Sequence, residues 1–299
     1  MSPKLSLLNI FTAGLRLQCS KSAHFPNFDF MALQKEKDQR PNILYSCYAH
    51  TSRDGEHFVP EHIFGYTVAG SSETYIDGKT YVFKEGDFRF FRRNQLAKYA
   101  KYPPQGAEYK SISIAIDQET LRSISEEFDL HIHRPYTGKN ILHLKSNVLF
   151  TNFINSLTPY LHSTGQLGEA LVKLKVKEIV MILLQTNPEL KDVLFDFSEP
   201  GKIDLEAFMN KNYKFNVDIS RFAYLTGRSL ATFKRDFEKI FHAPPSKWLQ
   251  QKRLADAYYL IREKGWRSSD VYMEVGFKDF SHFSYAFRKV YGIAPSKLA

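Results

Sequence analysis

Two kinds of hydrophobic spacing divide the chain. From residue 40 to 116, apolar and polar side chains alternate with a period of two, as in half-buried strands. Ile43–Tyr48, Ile63–Val68, Asp87–Phe91 and Tyr109–Ala115 each read as a strand. Tyr75–Phe83 reads as a hairpin around Asp77-Gly78, a dipeptide suited to a two-residue turn. Gly70, Gly78 and Gly86 punctuate these strands, and the pattern predicts a small barrel or sandwich. Beyond residue 147 the period becomes helical. Phe150, Phe153, Ile154, Leu157 and Leu161 share one face of a first helix. Val172, Val176, Ile179 and Leu183 mark a second, with Lys173, Lys175 and Lys177 between them. That heptad-like stripe suits packing on the chain's own barrel or a helix pair across a dimer. Asp196–Lys202 contains Pro200-Gly201 and reads as a linker.

The last third repeats itself. Ser229–Lys247 aligns without a gap to Asp279–Lys297, 50 residues later. Phe233/Phe283, Phe237/Phe287, Lys239/Lys289, Pro245/Pro295, Ser246/Ser296 and Lys247/Lys297 are identical pairs, which marks a duplicated supersecondary unit. Each copy reads as a helix with an N-cap residue, Ser229 or Asp279, and a helical stripe: Leu230, Phe233, Phe237 and Ile240, or Phe280, Phe283, Phe287 and Val290. A shorter helix precedes each, Asp218–Leu225 and Ser269–Val275, and the connections contain Gly227 and Gly276. Helix, short glycine turn, helix is the helix-turn-helix unit. Between the units, Leu254, Ala257, Tyr258 and Ile261 predict one helix over Ser246–Lys264. Its length, roughly 28 Å, approaches the roughly 34 Å between successive major-groove faces.

Charge sharpens this picture. The net charge is +9. Residues 203–299 hold 17 Lys+Arg and 10 Asp+Glu, a balance of +7, which leaves +2 for residues 1–202. An excess concentrated in one third points to a polyanionic partner, double-stranded DNA first. Two cysteines, Cys19 and Cys47, exclude a disulfide scaffold and a Cys-rich zinc site, and suit a reducing cytoplasm. No uncharged apolar run reaches membrane-spanning length, so no membrane partner is expected, and the N-terminus does not read as a signal peptide. His57, Glu61 and His62 are the candidate metal ligands, but their spacing does not fit a cupin ligand set, so neither metal nor cofactor is expected. No catalytic arrangement of Ser, Cys, His and Asp has supporting spacing, so the chain does not read as an enzyme.

Residues 203–299 resemble the DNA-binding domain of the AraC/XylS transcriptional regulators. The resemblance rests on Phe222-Ala223, Ser229–Phe237, Arg253–Ala257, Val275–Phe283 and Gly292–Pro295. Tyr272 stands where that family usually has a small residue. The earlier stretch, above all Phe88-Arg-Phe-Phe-Arg-Arg-Asn94, resembles the ExsA-type sensor domain of the same family. The fold expected is α+β with two domains: an N-terminal cupin-like β-barrel with two following helices, and a C-terminal all-α double helix-turn-helix. The expected boundaries are 1–140 for the sensor, 141–195 for a helical dimerisation segment, 196–202 for the linker and 203–299 for the DNA-binding domain. The expected function is sequence-specific regulation of transcription through two recognition helices in successive major grooves. Activation through RNA polymerase, a homodimer, and a small-molecule or protein effector at the N-terminal domain are what the resemblance implies. The alternative is a cupin-type metalloenzyme or small-ligand-binding protein with an accessory helical domain.

Because the Phe pairs must face the core, the outward residues of the first recognition helix are Ala231, Thr232, Lys234, Arg235 and Glu238. In the second they are Ser281, His282, Ser284, Tyr285 and Arg288. Arg235 is the candidate for a bidentate guanine contact, Lys234 for guanine or phosphate, and Ala231 for a thymine methyl. Ser281, His282 and Ser284 can donate to bases or phosphates alike, while Lys239, Lys289 and Arg288 suit the backbone.

Overall fold

The computed structural model describes residues 16–20, 42–132, 136, 138–162 and 168–298. Among the described residues, ten strands make two sheets. The strands are β1 (Arg16–Ser20), β2 (Ile43–Tyr48), β3 (Ser52–Val59), β4 (His62–Ala69), β5 (Ser71–Ile76), β6 (Lys79–Lys84), β7 (Phe88–Phe91), β8 (Gln95–Tyr102), β9 (Tyr109–Ile116) and β10 (Ile141–Leu144). One sheet runs β1-β2-β9-β4-β7-β10 and the other β3-β8-β5-β6. Pairing is antiparallel except between β1 and β2. The hairpin read at Asp77-Gly78 joins β5 to β6, with both turn residues at positive φ (56° and 81°), as a type I′ turn requires.

Period-two patterning gives the larger sheet two faces. Ile112, Ile114 and Ile116 of β9, Phe64 of β4 and Phe90 of β7 lie in one core cluster with the helices α1 (Gln118–Phe128), α2 (Val148–His162), α3 (Glu169–Thr186) and α4 (Lys191–Leu194). The alternate residues look toward the smaller sheet, where Val59, Ile76, Phe83, Phe91, Ala97 and Ile141 pack together.

Two expectations change here. β10 pairs with β7, so a boundary at residue 140 cuts the sheet; the β-fold continues to Leu144 and shares its core with α2 and α3. The stripe Val172, Val176, Ile179 and Leu183 is at most 4% exposed and sits in that same core, so it is used within the chain and is not an open dimer seam. The side chains of Leu161, His57 and Cys19 lie outside the described residues.

The C-terminal domain comprises α5 (Leu205–Asn212), α6 (Ile219–Leu225), α7 (Leu230–Phe241), α8 (Pro245–Arg262), α9 (Ser268–Glu274) and α10 (Phe280–Tyr291). It has two cores. Phe222, Phe233, Phe237 and Leu249 centre the first; Leu254, Ile261, Phe283 and Phe287 centre the second. The first core also takes in Phe58 of β3 and Leu96 of β8. Around that join, Tyr75 stacks on Phe215 with ring centroids 6.3 Å apart, Lys211 pairs with Asp77, and Lys98 Nζ donates to the Glu274 carbonyl at 3.0 Å. The segment between the domains is held by Arg93, whose guanidinium donates to the carbonyls of Asp196 and Ser198 at 3.1 and 2.7 Å. Arg92 adds an ion pair to Asp196 at 3.5 Å.

Candidate nucleic-acid interface

Both recognition helices are set by the same local devices. The Ser229 hydroxyl accepts from the Thr232 N–H at 3.2 Å, and the Asp279 carboxylate accepts from the His282 N–H at 2.7 Å, so each cap satisfies one of the free donors at a helix start. The helices close on left-handed residues, His242 (φ 52°) and Gly292 (φ 77°). The turns before them need glycine. A Cβ on Gly227, at φ +64°, would lie 2.4 Å from the Gly201 carbonyl carbon. A Cβ on Gly276, at φ +93°, would lie 2.3 Å from the Lys214 carbonyl oxygen. Backbone passes against backbone at both turns, so no other residue fits without displacement.

Because the two copies align without a gap and each begins at its cap, residues 50 apart occupy equivalent positions on α7 and α10. Ala231, Lys234, Arg235 and Glu238 are exposed along the outer side of α7. The equivalent positions on α10 are Ser281, Ser284, Tyr285 and Arg288; Ser284 is half-buried and Tyr285 is 69% exposed. Thr232 and His282 lie at the flank. The Thr232 hydroxyl accepts from Ser229 at 3.0 Å, and the His282 ring rests 5.7 Å from that of Phe277. Lys239 and Lys289 are exposed one turn beyond, and the inward stripe is narrower than its spacing implies. Phe233, Phe237, Phe283 and Phe287 are fully buried, while Leu230, Ile240, Phe280 and Val290 are 39–56% exposed near the helix ends. Tyr272 fits by packing on Phe280 and Phe283, with centroids 5.6 and 6.5 Å away.

Sequence reasoning passed over the residues that hold this face in place. Arg228 Nε donates to Asp236 at 3.1 Å, and its NH1 donates to the carbonyls of Ile203 and Thr226. The hydrogen bond from Arg228 holds the Asp236 carboxyl below its usual range. Arg235, by contrast, is 66% exposed at its side chain and only 3.7 Å from Asp236 at Nε, so its fork remains available. Arg253 of α8 donates to the carbonyls of Tyr213 and Phe215 at 2.8 and 2.9 Å, and Lys214 pairs with Asp256 at 3.3 Å. The 18-residue α8 is thereby fixed against the first unit, while its buried Leu254, Ala257 and Ile261 anchor the second. Arg228 stands in Thr226-Gly-Arg-Ser229 and Arg253 follows Gln250-Gln-Lys252, polar settings in which spacing alone reads each as a solvated residue.

Of the candidate metal ligands, the side chains of Glu61 and His62 lie within the described residues. His62 is fully buried, not at a surface; its Nδ1 accepts from the Arg93 N–H at 3.2 Å and its ring stacks on Phe90. Burial first, then the charges of Arg93 and Arg92, push its pKa down to about 3. Among the described residues, no three His, Cys, Asp or Glu side chains group as metal ligands would. Among the described residues, no helix is long and apolar enough to cross a membrane.

Comparison with known proteins agrees with the division into two parts. Residues 62–193 match the family described as the ExsA N-terminal regulatory domain, and residues 222–299 match a helix-turn-helix domain. The HTH-type transcriptional regulator ExsA of Pseudomonas aeruginosa is 30% identical over 126 residues, 42% of this chain and 45% of that protein. The chain thus spans under half the length of that relative. The thermoregulatory protein LcrF of Yersinia pestis is 24% identical over 74% of this chain and 82% of its own. The virulence regulon transcriptional activator VirF of Yersinia enterocolitica is 25% identical over 54% of this chain and 60% of its own. Among solved structures, an apo ToxT variant from Vibrio cholerae strain SCE256 covers 87% of this chain and 98% of its own at 11% identity. Its TM-score is 0.44.

Proposed function

We propose that the chain is a transcriptional regulator of the AraC family that acts by sequence-specific binding to promoter DNA, a reading supported by its matches to the ExsA N-terminal regulatory domain and to a helix-turn-helix domain. The observation that carries the reading is the duplication: two capped helices, presenting equivalent faces 50 residues apart and joined by one fixed helix of about 27 Å. In this reading α7 and α10 enter successive major grooves. Arg235 and Lys234 read bases in the first half-site, Ala231 meets a thymine methyl, and Thr232 supports the helix start. Ser281, His282, Ser284 and Tyr285 work the second half-site, with Arg288 and Lys239 on the phosphates. The faces differ in chemistry, so the two half-sites differ in sequence.

Finer points extend the reading. Activation through RNA polymerase is supported by the printed name of VirF as a transcriptional activator. A homodimer would use a surface other than the buried α3 stripe. A cytoplasmic location follows from the role. The metalloenzyme alternative finds no support, since the relatives that match are named as regulators. Selection of bound duplexes from a random pool by the full chain tests the proposal. Enrichment of two unlike half-sites about one helical turn apart is expected, with a log–log salt slope near about −5 for about six neutralised phosphates. Recovery of no consensus, or a flat salt response, would sink it.

A further inference from the structure

The chain has two cysteines, Cys19 and Cys47. They stand on neighbouring strands, at one rung. β1 runs parallel to β2, and the backbone register sets Cys19 directly opposite Cys47. The rungs on either side hold Gln18 with Ser46 and Ser20 with Tyr48, so a slip of one residue would part the two. Partners at one rung share a face of the sheet, and neighbouring strands run about 4.7–4.9 Å apart. A disulfide needs its Cα atoms about 4.4–6.8 Å apart. The backbone therefore holds the pair at bridging separation.

β1 is the edge strand of its sheet, and β2 lies inside it, between β1 and β9. Cys47 is 2% exposed, and its Sγ donates to the Glu108 carboxylate at 2.9 Å. Lys110, opposite Cys47 on β9, pairs with the same carboxylate at 3.5 Å. A cysteine used only as a small apolar filler needs neither a particular rung nor an acceptor for its proton. Here the two cysteines share a rung, and the covered one meets a group able to take its proton.

We propose that Cys19 and Cys47 are an oxidation site, at which a hydroperoxide converts the two thiols into a disulfide that ties the edge strand β1 to β2. Cys19, on the edge strand, is oxidised first. Its sulfur attacks hydrogen peroxide; the O–O bond breaks, one oxygen stays on sulfur as the sulfenic acid, and the other leaves as water. Cys47 then gives its proton to Glu108 and attacks that sulfur. The S–S bond forms, the S–O bond breaks, and the leaving hydroxide takes the proton as a second water. Two thiols have lost two electrons and two protons, and one peroxide has become two waters. A dithiol reductant reverses the change. In a reducing compartment such a pair is a transient mark on the protein and not a structural staple. This inference concerns the β-domain alone and does not rest on the DNA reading.

Intact-mass measurement of the full chain under hydrogen peroxide, with free thiols counted by alkylation, tests it. The mass should fall by about 2 Da, the two hydrogens lost, and both alkylation sites should vanish together. Dithiothreitol should restore both, and peptide mapping should join the Cys19 peptide to the Cys47 peptide of the same chain. Cys47→Ser should stop at a sulfenic acid on Cys19 that dimedone traps, whereas Cys19→Ser should leave Cys47 alkylatable after the same exposure. Glu108→Gln should slow bridge formation roughly tenfold or more while sulfenic acid still forms at the parent's rate, a split that loss of packing alone would not give. The parent chain decides by itself if a variant fails to fold. Thiols that remain alkylatable, oxygen added to one cysteine without loss of the two hydrogens, or a bridge formed only between two chains would overturn the proposal.

Discussion

Single side chains on α7 separate reading from holding. Arg235 stands on the outer face near the helix start, while Lys239 lies one turn later. Arg235→Ala should cost about 1–3 kcal/mol on the preferred duplex and little on a scrambled one, whereas Lys239→Ala should weaken both alike. Affinities at one fixed salt concentration decide; an equal loss on both duplexes for Arg235→Ala would make it a backbone contact. His62 makes a different kind of statement. Its folded pKa of about 3 lies below the unfolded value of 6.5, so the native state binds fewer protons and stability is lost as pH falls through that window. Between pH 7 and pH 5 the loss should be about 2 kcal/mol from this residue. Urea unfolding at both values should show the drop in the parent chain and a shallower one in His62→Gln; identical pH dependence would mean that His62 is not the acid-sensitive group.

Elements with one clean period were legible in the sequence; those with two partners were not. The β5–β6 hairpin, the helices α2, α3 and α8, and both recognition helices follow from alternation, stripe and cap signals. β8 escaped because its outward side, Leu96 and Lys98, packs on the C-terminal domain, so no solvated face remains to mark alternation. β3 carries Arg53-Asp-Gly-Glu56 through its middle and β10 is four residues long, and neither offers an apolar run. α1 had its signals, the Asp117 cap with Leu121 and Ile124, but lay between stretches read as barrel. The candidate site was legible for the outward residues, because duplication fixes their phase; Arg228 and Arg253 were hidden, because only tertiary contacts bury them. The cap signals carry their own test. Ser229→Ala and Asp279→Ala should each cost about 1 kcal/mol in urea unfolding, with Ser229→Gly and Asp279→Gly costing a few tenths. Equal losses for the alanine and glycine variants would mean that helix propensity and not capping dominates.

At the scale of the whole molecule, the β-domain supplies part of the core of the first helix-turn-helix unit. Leu96 is 5% exposed within that core, so Leu96→Ala should cost about 2–5 kcal/mol and hasten proteolytic cleavage near Glu199–Lys202. Unchanged cleavage would place the weight of the join on Phe58 and the polar contacts instead. Strand β8 has a further property. Leu96 enters the first unit, Lys98 reaches the end of α9 in the second, and between and beyond them Ala97, Tyr99 and Lys101 point the other way. A slip of one residue would exchange these sets entirely, setting the Lys98 amine in the apolar cluster around Phe83 and Phe91. The strand is therefore keyed on both sides like a bar between two toothed racks. It is held against creeping along its own axis, and whatever displaces it bears on both helix-turn-helix units.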